Sequence, residues 1–455
     1  MALRILHYAD IEGTYDDPTH IGKFAGLINS LRDENTIIAG AGDNIGPSGL
    51  GLLTDGHQAL EFFAAIKPDV DTVGNHDFDY GLETLFSVIN KSPQYWVCAN
   101  AYSNGKRLGR DAGIVPWTII ERAGHRLGVF GLAHPNTDTS SPKAQSLSFT
   151  DPIPAARDVI ENLQDHTVDH IICISHLGKA KGRSFNDDDD LAQATDIDTI
   201  LGGHEHGEPR IDRISDTLLV RTSGDGMDLT ELQFDEEWTA KHHSLADAPI
   251  DHTVEQRFHE LRECAGLNEV VTTVDDPIIQ STATRYHGES RLGNVIADAY
   301  RWGTDSDIGL QHSSGIRGTT LQGDITVADL VNILPFDMAV VRTEVSGTTL
   351  HNMLASGGKI IYPSKPNYWQ LHLSGGSVTF DYAERQVTSA TVNGKAVDPS
   401  AFYTIAAPEN FLEPFDMYSS DEAEHYGRQY ELLVDYAQAN GLHPELEGRI
   451  TRQKI

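Results

Sequence analysis

The sequence predicts a layered α/β fold in two domains, and three observations lead there. The chain has 455 residues, more than one ordinary hydrophobic core accommodates. In its first half, short apolar runs of strand type alternate with amphipathic helix patterns, the signature of sheets covered by helices. After a polar stretch near residues 236–250 the texture changes to strand-rich segments punctuated by turn signals.

The elements follow in order. Leu3–Tyr8 reads as a strand, and Thr19–Leu31 as a helix with Ile21, Phe24, Ala25, Ile28 and Leu31 on one stripe. Thr36–Ala39 is a strand, Gln58–Ile66 a helix, Val70–Val73 a strand and Leu82–Asn90 a helix. Tyr95–Ala99, Val115–Ile120 and Leu127–Leu132 read as strands, and Pro154–Leu163 as a helix with Asp151 at its N-cap. His170–Ser175, Thr199–Leu201 and Leu218–Arg221 are strands of the fully buried type. Residues 1–250 are expected as the first domain, 251–270 as a linker helix, and 271–455 as the second domain. Within the latter a helix begins near Arg291, and Ser374-Gly375-Gly376 and Asn393-Gly394 mark turns.

The charge balance is extreme, with 34 basic against 67 acidic residues and a net charge of −33. A nucleic-acid polymer needs a basic face, and an anionic membrane surface does too, so neither is an expected partner. The hydrophobic share of 39% is enough for packed cores. Dispersed Asp and Glu with few Lys resemble the proteins of salt-accumulating halophiles, whose solubility rests on hydrated carboxylates. One short acidic run, Asp187 to Asp190, stands out. Cys98, Cys173 and Cys264 are far apart and form no CxxC pair, which points to a reducing compartment. No apolar run precedes the first strand and no segment has the ~18 apolar residues of a membrane span. A cytoplasmic location is the expectation.

Five stretches place metal-type ligands directly after a strand. They are "ADIEG" (Asp10, Glu12), "GAGDN" (Asp43), "VGNHDFDYG" (Asn75, His76, Asp77, Asp79), "ICISHLG" (His176) and "LGGHEHG" (His204, His206). In α/β sheets, ligand groups gather beyond the carboxyl ends of strands, so the five can converge. Two neighbouring carboxylates such as Asp10 and Glu12 repel unless a cation or a shared proton lies between them. Asp, Glu, Asn and His together suit Mn, Zn, Fe or Mg, and a pair of ions needs a bridging carboxylate.

This order of motifs resembles the signature of the calcineurin-like metallophosphoesterases. The longer pieces "GNHDFDYG", "SSGIRG", "LPFDM" and "NFL" narrow the resemblance to the 5′-nucleotidase family, and the acidity suggests a halophilic archaeal member. The resemblance implies a four-layer α-β-β-α sandwich followed by a smaller α/β nucleotide-binding domain. It implies two divalent ions, one held by Asp10, Glu12, Asp43 and His206, the other by Asp43, Asn75, His176 and His204, with Asp43 bridging. His76 would act on the transferring phosphoryl group or protonate the leaving oxygen, and Asp79 would orient it. His7 and Asp77 would support. The family has His where this chain has Glu12; the carboxylate favours Mn²⁺ or Mg²⁺, with Zn²⁺, Fe or Co as alternatives.

The implied reaction is hydrolysis of a nucleoside 5′-monophosphate to nucleoside and phosphate by a metal-bound hydroxide. In the second domain Phe336 and Phe411 match the two positions between which the base stacks, and Arg317 matches an anion-gripping arginine. His312 stands where the family has Asn. The family's glycine-rich stretch after the second aromatic is absent, leaving Asp416 as its only echo, and Tyr368 and Trp369 are near candidates for the same pocket. A 2′,3′-cyclic-nucleotide phosphodiesterase or a nucleotide-sugar pyrophosphatase would use the same ions, and a non-catalytic nucleotide-binding protein would keep only the fold. Oligomeric state is not legible in the residues.

Overall fold

The computed structural model describes residues 2–179, 185–279, 288–318, 320–356, 371–381, 386–412 and 423–453. The chain forms two compact units, Met1–Ala265 and Gly266–Ile455.

In the first unit, two sheets carry the strands that hold the predicted ligands. The larger sheet has seven strands in the order 238–244, 228–234, 3–8, 36–40, 70–71, 95–97, 114–115. The second has six, in the order 210–214, 217–221, 199–202, 170–175, 125–132, 117–122. Strand Leu3–Tyr8 runs parallel to Thr36–Gly40, and His170–Ser175 runs parallel to Thr199–Gly202. The parallel strands therefore end on one side, and the loops after them meet there.

Both faces of these strands are buried, which is why they read as continuous apolar runs. Successive side chains point to opposite faces. Ile172, Ile174, Leu201, Leu218 and Val220 pack between the sheets with Leu3, Ile5, Ile37 and Val70. Their neighbours Cys173, Ile200 and Leu219 turn outward onto Ala156, Val159, Leu163 and Leu191 of helices Pro152–Gln164 and Asp188–Ala194. On the outer face of the larger sheet, Tyr8 meets Phe62 edge-on at 6.0 Å. Phe62 also packs against Phe24, so helices Pro18–Leu31 and Gln58–Ile66 form the fourth layer. The architecture is the helix–sheet–sheet–helix sandwich that the resemblance implies.

Helix His252–Cys264, expected as a linker, packs within the first unit. Asp251 caps it by accepting from the backbone N–H groups of Thr253 and Val254. Phe258 is buried and stacks on Tyr15 with centroids 5.7 Å apart and planes 5° apart. Helix Pro18–Leu31 admits this neighbour because Gly22 and Gly26 lack side chains. A Cβ on Gly26 would lie 2.0 Å from the Pro249 carbonyl oxygen.

The second unit contains a five-stranded sheet in the order 371–374, 308–312, 402–408, 339–346, 424–428 and a four-stranded sheet in the order 395–396, 386–392, 376–381, 450–453. A two-stranded ribbon pairs 270–278 with 321–326. Leu310, Val341, Leu373, Ile405 and Leu412 form its core with Leu350 and Met353 of helix Gly347–Ser356. Arg291–Thr304 is helical, capped by the Ser290 hydroxyl. The Asn393-Gly394 turn has both residues at positive φ, joining 386–392 to 395–396. Cys98, Cys173 and Cys264 carry free thiols. No described helix is long and apolar enough to cross a membrane.

Phe258→Ala should lower the stability of the first unit by ~3–5 kcal/mol, the cost of deleting a buried aromatic ring. Urea unfolding followed by tryptophan fluorescence checks this; an unchanged midpoint would mean that the helix is not part of that core.

Candidate metal centre

Asp43 is the centre of the site. It follows strand Thr36–Gly40 in a loop pinned by Asp77, whose carboxylate accepts from four backbone N–H groups. These are Asp43 at 3.0 Å, Asn44 at 3.0 Å, Ile45 at 2.9 Å and Gly74 at 2.7 Å. A single buried carboxylate thus ties the "GAGDN" loop to the "GNHD" loop. Asp43 Oδ1 accepts from the His76 backbone N–H at 2.6 Å. Asp43 Oδ2 faces His176 Nε2 at 2.9 Å, while His176 Nδ1 donates to the Ala41 carbonyl at 2.6 Å. Space for the carboxylate exists because residue 74 is glycine; a Cβ there would lie 2.2 Å from Asp43 Oδ1.

Three groups of ligand-type atoms lie close together. Asp43, His176 and His204 form one, Asp10, Glu12 and His206 a second, and Glu12, Asp43 and His76 a third; within each, the atoms all lie within 4.8 Å of one another. Asp43 and Glu12 each belong to two groups, so the clusters are contiguous. His206 Nε2 lies 3.4 Å from Glu12 Oε1 and 3.8 Å from Asp10 Oδ1. Asn75 is 5% exposed, and its side-chain oxygen is buried with no hydrogen-bond partner. A buried amide oxygen left without a donor costs ~1–3 kcal/mol unless something else binds it. This orphaned oxygen, on the residue before His76, whose backbone N–H binds Asp43, fits a divalent cation: an all-acceptor set of O and N donors is what such an ion takes.

The backbone around the cluster is strained. Thirteen described non-glycine residues have positive φ, and five of them are here: Asp10, Glu12, Asp43, His204 and Asp225. Strain of this kind persists only where the surroundings over-determine it. The His204 backbone N–H donates to Asp10 Oδ1 at 3.0 Å, and the Asp225 N–H donates to the Asp10 carbonyl at 2.8 Å. Loops more than 190 residues apart in sequence are in this way clamped to one another.

Electrostatics show the cost of the assembly. Burial, with Asp43 and Glu12 nearby, raises the Asp10 carboxyl to about 7. Burial likewise raises Glu12. Burial alone would raise Asp43 too, but the rings of His176, His76 and His204 reverse this and hold it well below the usual range. Burial disfavours charge on His176, yet Asp43 and Asp10 raise it to about 10. The hydrogen bond to Asp225, then that to Glu12, raises His206 to about 11. His204, buried beside His176 and His134, is lowered to about 2.

His76 Nδ1 lies 2.7 Å from Asp79 Oδ2, the pair that the family resemblance implies. Against its burial, Asp79 and then Asp43 raise the His76 imidazole well above its ordinary value. His7 is fully buried, with Nε2 3.0 Å from the Gly202 carbonyl and Nδ1 3.3 Å from that of Ala39. It braces the two sheets where the ligand loops leave them.

Three neighbours were not among the candidates that the sequence singles out. Asp225 Oδ2 meets His206 Nδ1 at 3.2 Å and so turns Nε2 toward Glu12. His134 packs its ring 4.6 Å from that of His204. Glu205 reaches Arg221 at 2.9 Å. "SGDG" and "AHPN" look like ordinary turns, and only the fold brings them here.

The candidates His312, Arg317, Phe336 and Phe411 belong to the second unit. The Arg317 guanidinium lies over the half-buried Phe336 ring at 4.9 Å. Phe411 is 4% exposed, packs in the core of the unit, and stacks on His312 with centroids 6.4 Å apart and planes 13° apart. Phe411 is therefore a core residue whose ring carries His312. Arg291 is anchored on the carbonyls of Pro444 and Pro277 and on Asp276. Asp416, Tyr368 and Trp369 lie outside the described residues.

In a protein freed of metal, His176 and His206 carry protons at neutral pH, since their values of about 10 and about 11 lie well above it. Ligand nitrogens must shed such protons. Loading with Mn²⁺ at pH 7.5 in weak buffer should release about two protons per chain, and affinity should rise with pH. Release of none, read with a pH indicator, would mean that these rings do not ligate.

Comparison with known proteins agrees with the fold and the motifs. Residues 3–208 match the family model of calcineurin-like phosphoesterase, and residues 270–415 that of the 5′-nucleotidase C-terminal domain. The endonuclease YhcR of Bacillus subtilis is 26% identical over 83% of this chain and 33% of its own length. The trifunctional nucleotide phosphoesterase protein YfkN of the same organism is 23% identical over 98% of this chain and 35% of its own. The chain thus spans about a third of the length of these two relatives. The crystal structure of a 5′-nucleotidase precursor from Thermus thermophilus superposes with a TM-score of 0.74 at 22% identity, covering 99% of each chain. With both of its halves matched, the chain belongs to the calcineurin-like metallophosphoesterases that carry a 5′-nucleotidase C-terminal domain.

Proposed function

We propose that the protein hydrolyses nucleoside 5′-monophosphates to nucleoside and phosphate. The observation that carries this reading is the contiguous set of ligand atoms around Asp43, together with the buried, unpartnered side-chain oxygen of Asn75. One ion is assigned to Asp10, Glu12, Asp43 and His206, the other to Asp43, Asn75, His176 and His204. Divalent ions held by these residues would supply Lewis-acid polarisation of the phosphoryl oxygens and would acidify a water.

The side chains do the rest. Asp43 and Asn75 fix the position at which phosphate is held. His76 commits Nδ1 to Asp79, which leaves Nε2 to meet the phosphoryl group or the departing ribose oxygen. Asp79 keeps that ring in one orientation and stabilises its charge. Among the described residues the ligand groups consist of Asp, Glu and His alone, which supports attack by water in line with the leaving oxygen. Arg317 and Phe336 of the second unit are assigned to the nucleotide, the guanidinium to an anion and the ring to the base; His312, Phe411 and Asp416 are assigned supporting parts there. The acidity supports work in concentrated salt, where screening removes most self-repulsion.

Glu12 makes the first ion's set richer in oxygen, which supports Mn²⁺ or Mg²⁺ as the working ion. Activity of the metal-stripped protein should return with Mn²⁺ or Mg²⁺; full recovery with Zn²⁺ alone would refute this preference.

Chromatographic analysis of the products formed from AMP, a 2′,3′-cyclic nucleotide, a UDP-sugar, a sugar phosphate and a short oligonucleotide, at high salt, identifies the substrate class. AMP should be turned over fastest; preference for the oligonucleotide or the cyclic ester would overturn the monoester assignment. His76→Ala should slow turnover ~10²–10⁴-fold. Phe336→Ala should raise KM for AMP while sparing an aryl phosphate, and equal losses on both would remove it from base binding.

A further inference from the structure

The motif "GHEH" places Glu205 between the two histidines of the cluster. Its carboxylate accepts from Arg221 Nη1 at 2.9 Å. Arg221, at the end of strand Thr217–Arg221, donates through Nη2 to Asp188 Oδ2 at 2.8 Å. Asp188 Oδ1 accepts from the Ser175 hydroxyl at 2.5 Å, and Ser175 immediately precedes His176. One chain of charge-assisted contacts therefore joins the backbone beside His176 to the loop bearing His204 and His206.

The chain is buried where it matters. The Arg221 side chain is 6% exposed and that of Asp188 0%, while Glu205 at 40% forms the outer end. Only a guanidinium offers donors in a planar fork that can serve two carboxylates at once. Gly202 leaves the room: a Cβ there would lie 3.3 Å from Asp188 Oδ2. Buried charges of this kind are strongly coupled, and removing one partner leaves the other uncompensated.

The loop that these contacts hold has a residue at positive φ. His204 has φ +73°, a strained value for a residue with a side chain. Asp10 fixes its N–H from one side. Glu205, the next residue, is fixed from the other by Arg221.

We propose that Arg221 is a positioning residue for the metal centre, acting through Glu205 on His204 and His206 and through Asp188 on the segment of His176. Groups that orient ligands without touching the ion typically change affinity by ~10–100-fold. The inference rests on the two-ion reading given above.

Calorimetric titration with Mn²⁺ and thermal unfolding, on the full chain, test it together. Glu205→Ala, at the exposed end, should weaken Mn²⁺ binding ~10-fold with little change in Tm, and Glu205→Gln, which keeps an acceptor for Arg221, should recover most of the affinity. The pair Asp188→Asn with Arg221→Met removes both buried charges together, so the fold should survive while Mn²⁺ affinity falls ~10–100-fold. If the unaltered protein binds two Mn²⁺ and the folded variants bind them equally well, the inference is overturned alone. If the unaltered protein does not bind two Mn²⁺, the two-ion reading fails and the inference with it.

Discussion

Mutual repulsion among Asp10, Glu12 and Asp43 is the constraint on which the rest of the first unit depends. Asp10 and Asp43 are each 1% exposed, and Glu12 reaches toward both. Carboxylates in such a place must be protonated, paired or bound to cations. The protein answers with imidazoles at His176, His206 and His76, and with loops clamped by Asp77 and by backbone contacts between Asp10, His204 and Asp225. Positive φ at five of these positions shows that backbone geometry yields to the placement of the side chains. A site assembled against such penalties is stabilised most by divalent positive charge, and for that reason the geometry points to metal chemistry rather than to a structural salt-bridge network.

The same scarcity of positive charge shapes the surroundings. With 34 basic residues against 67 acidic ones, the buried Arg221 guanidinium serves two carboxylates at once. The acidic run Asp187–Asp190 looks like a solvated stretch, yet it is built into the fold. Asp187 caps helix Asp188–Ala194, accepting from the N–H groups of Asp189 and Asp190, and Asp190 returns to the Asp187 N–H. Asp189 pairs with Arg210 and Asp188 with Arg221. Acids at a helix N-terminus also complement its dipole. Four aspartates in a row thus start one helix and anchor one strand end.

Much of the fold was legible because local periodicity reports burial. Buried parallel strands such as His170–Ser175 and Thr199–Gly202 show as apolar runs followed by a ligand-type residue, and the helix of Arg291–Thr304 shows in its apolar stripe. Helix His252–Cys264 was legible as a helix, but its membership was not. Val254 and Phe258 give it an apolar face, and only the glycines of Pro18–Leu31 reveal where that face goes. Phe411 is the converse case. Its motif suggested a ring open to a ligand, whereas the fold places it in the core of the second unit with His312 stacked on it.

The sequence by itself determined the layered α/β class, the two-part chain and the presence of ligand-type residues directly after the strands. These follow from periodicity and from spacings of a few residues, which the chain fixes locally. Tertiary structure alone decided that Asp225 orients His206, that Arg221 reaches both Asp188 and Glu205, and that Asn75 keeps an unpartnered oxygen. Such contacts join residues far apart in the chain. Their existence depends on the register of packed sheets, and no local pattern encodes it.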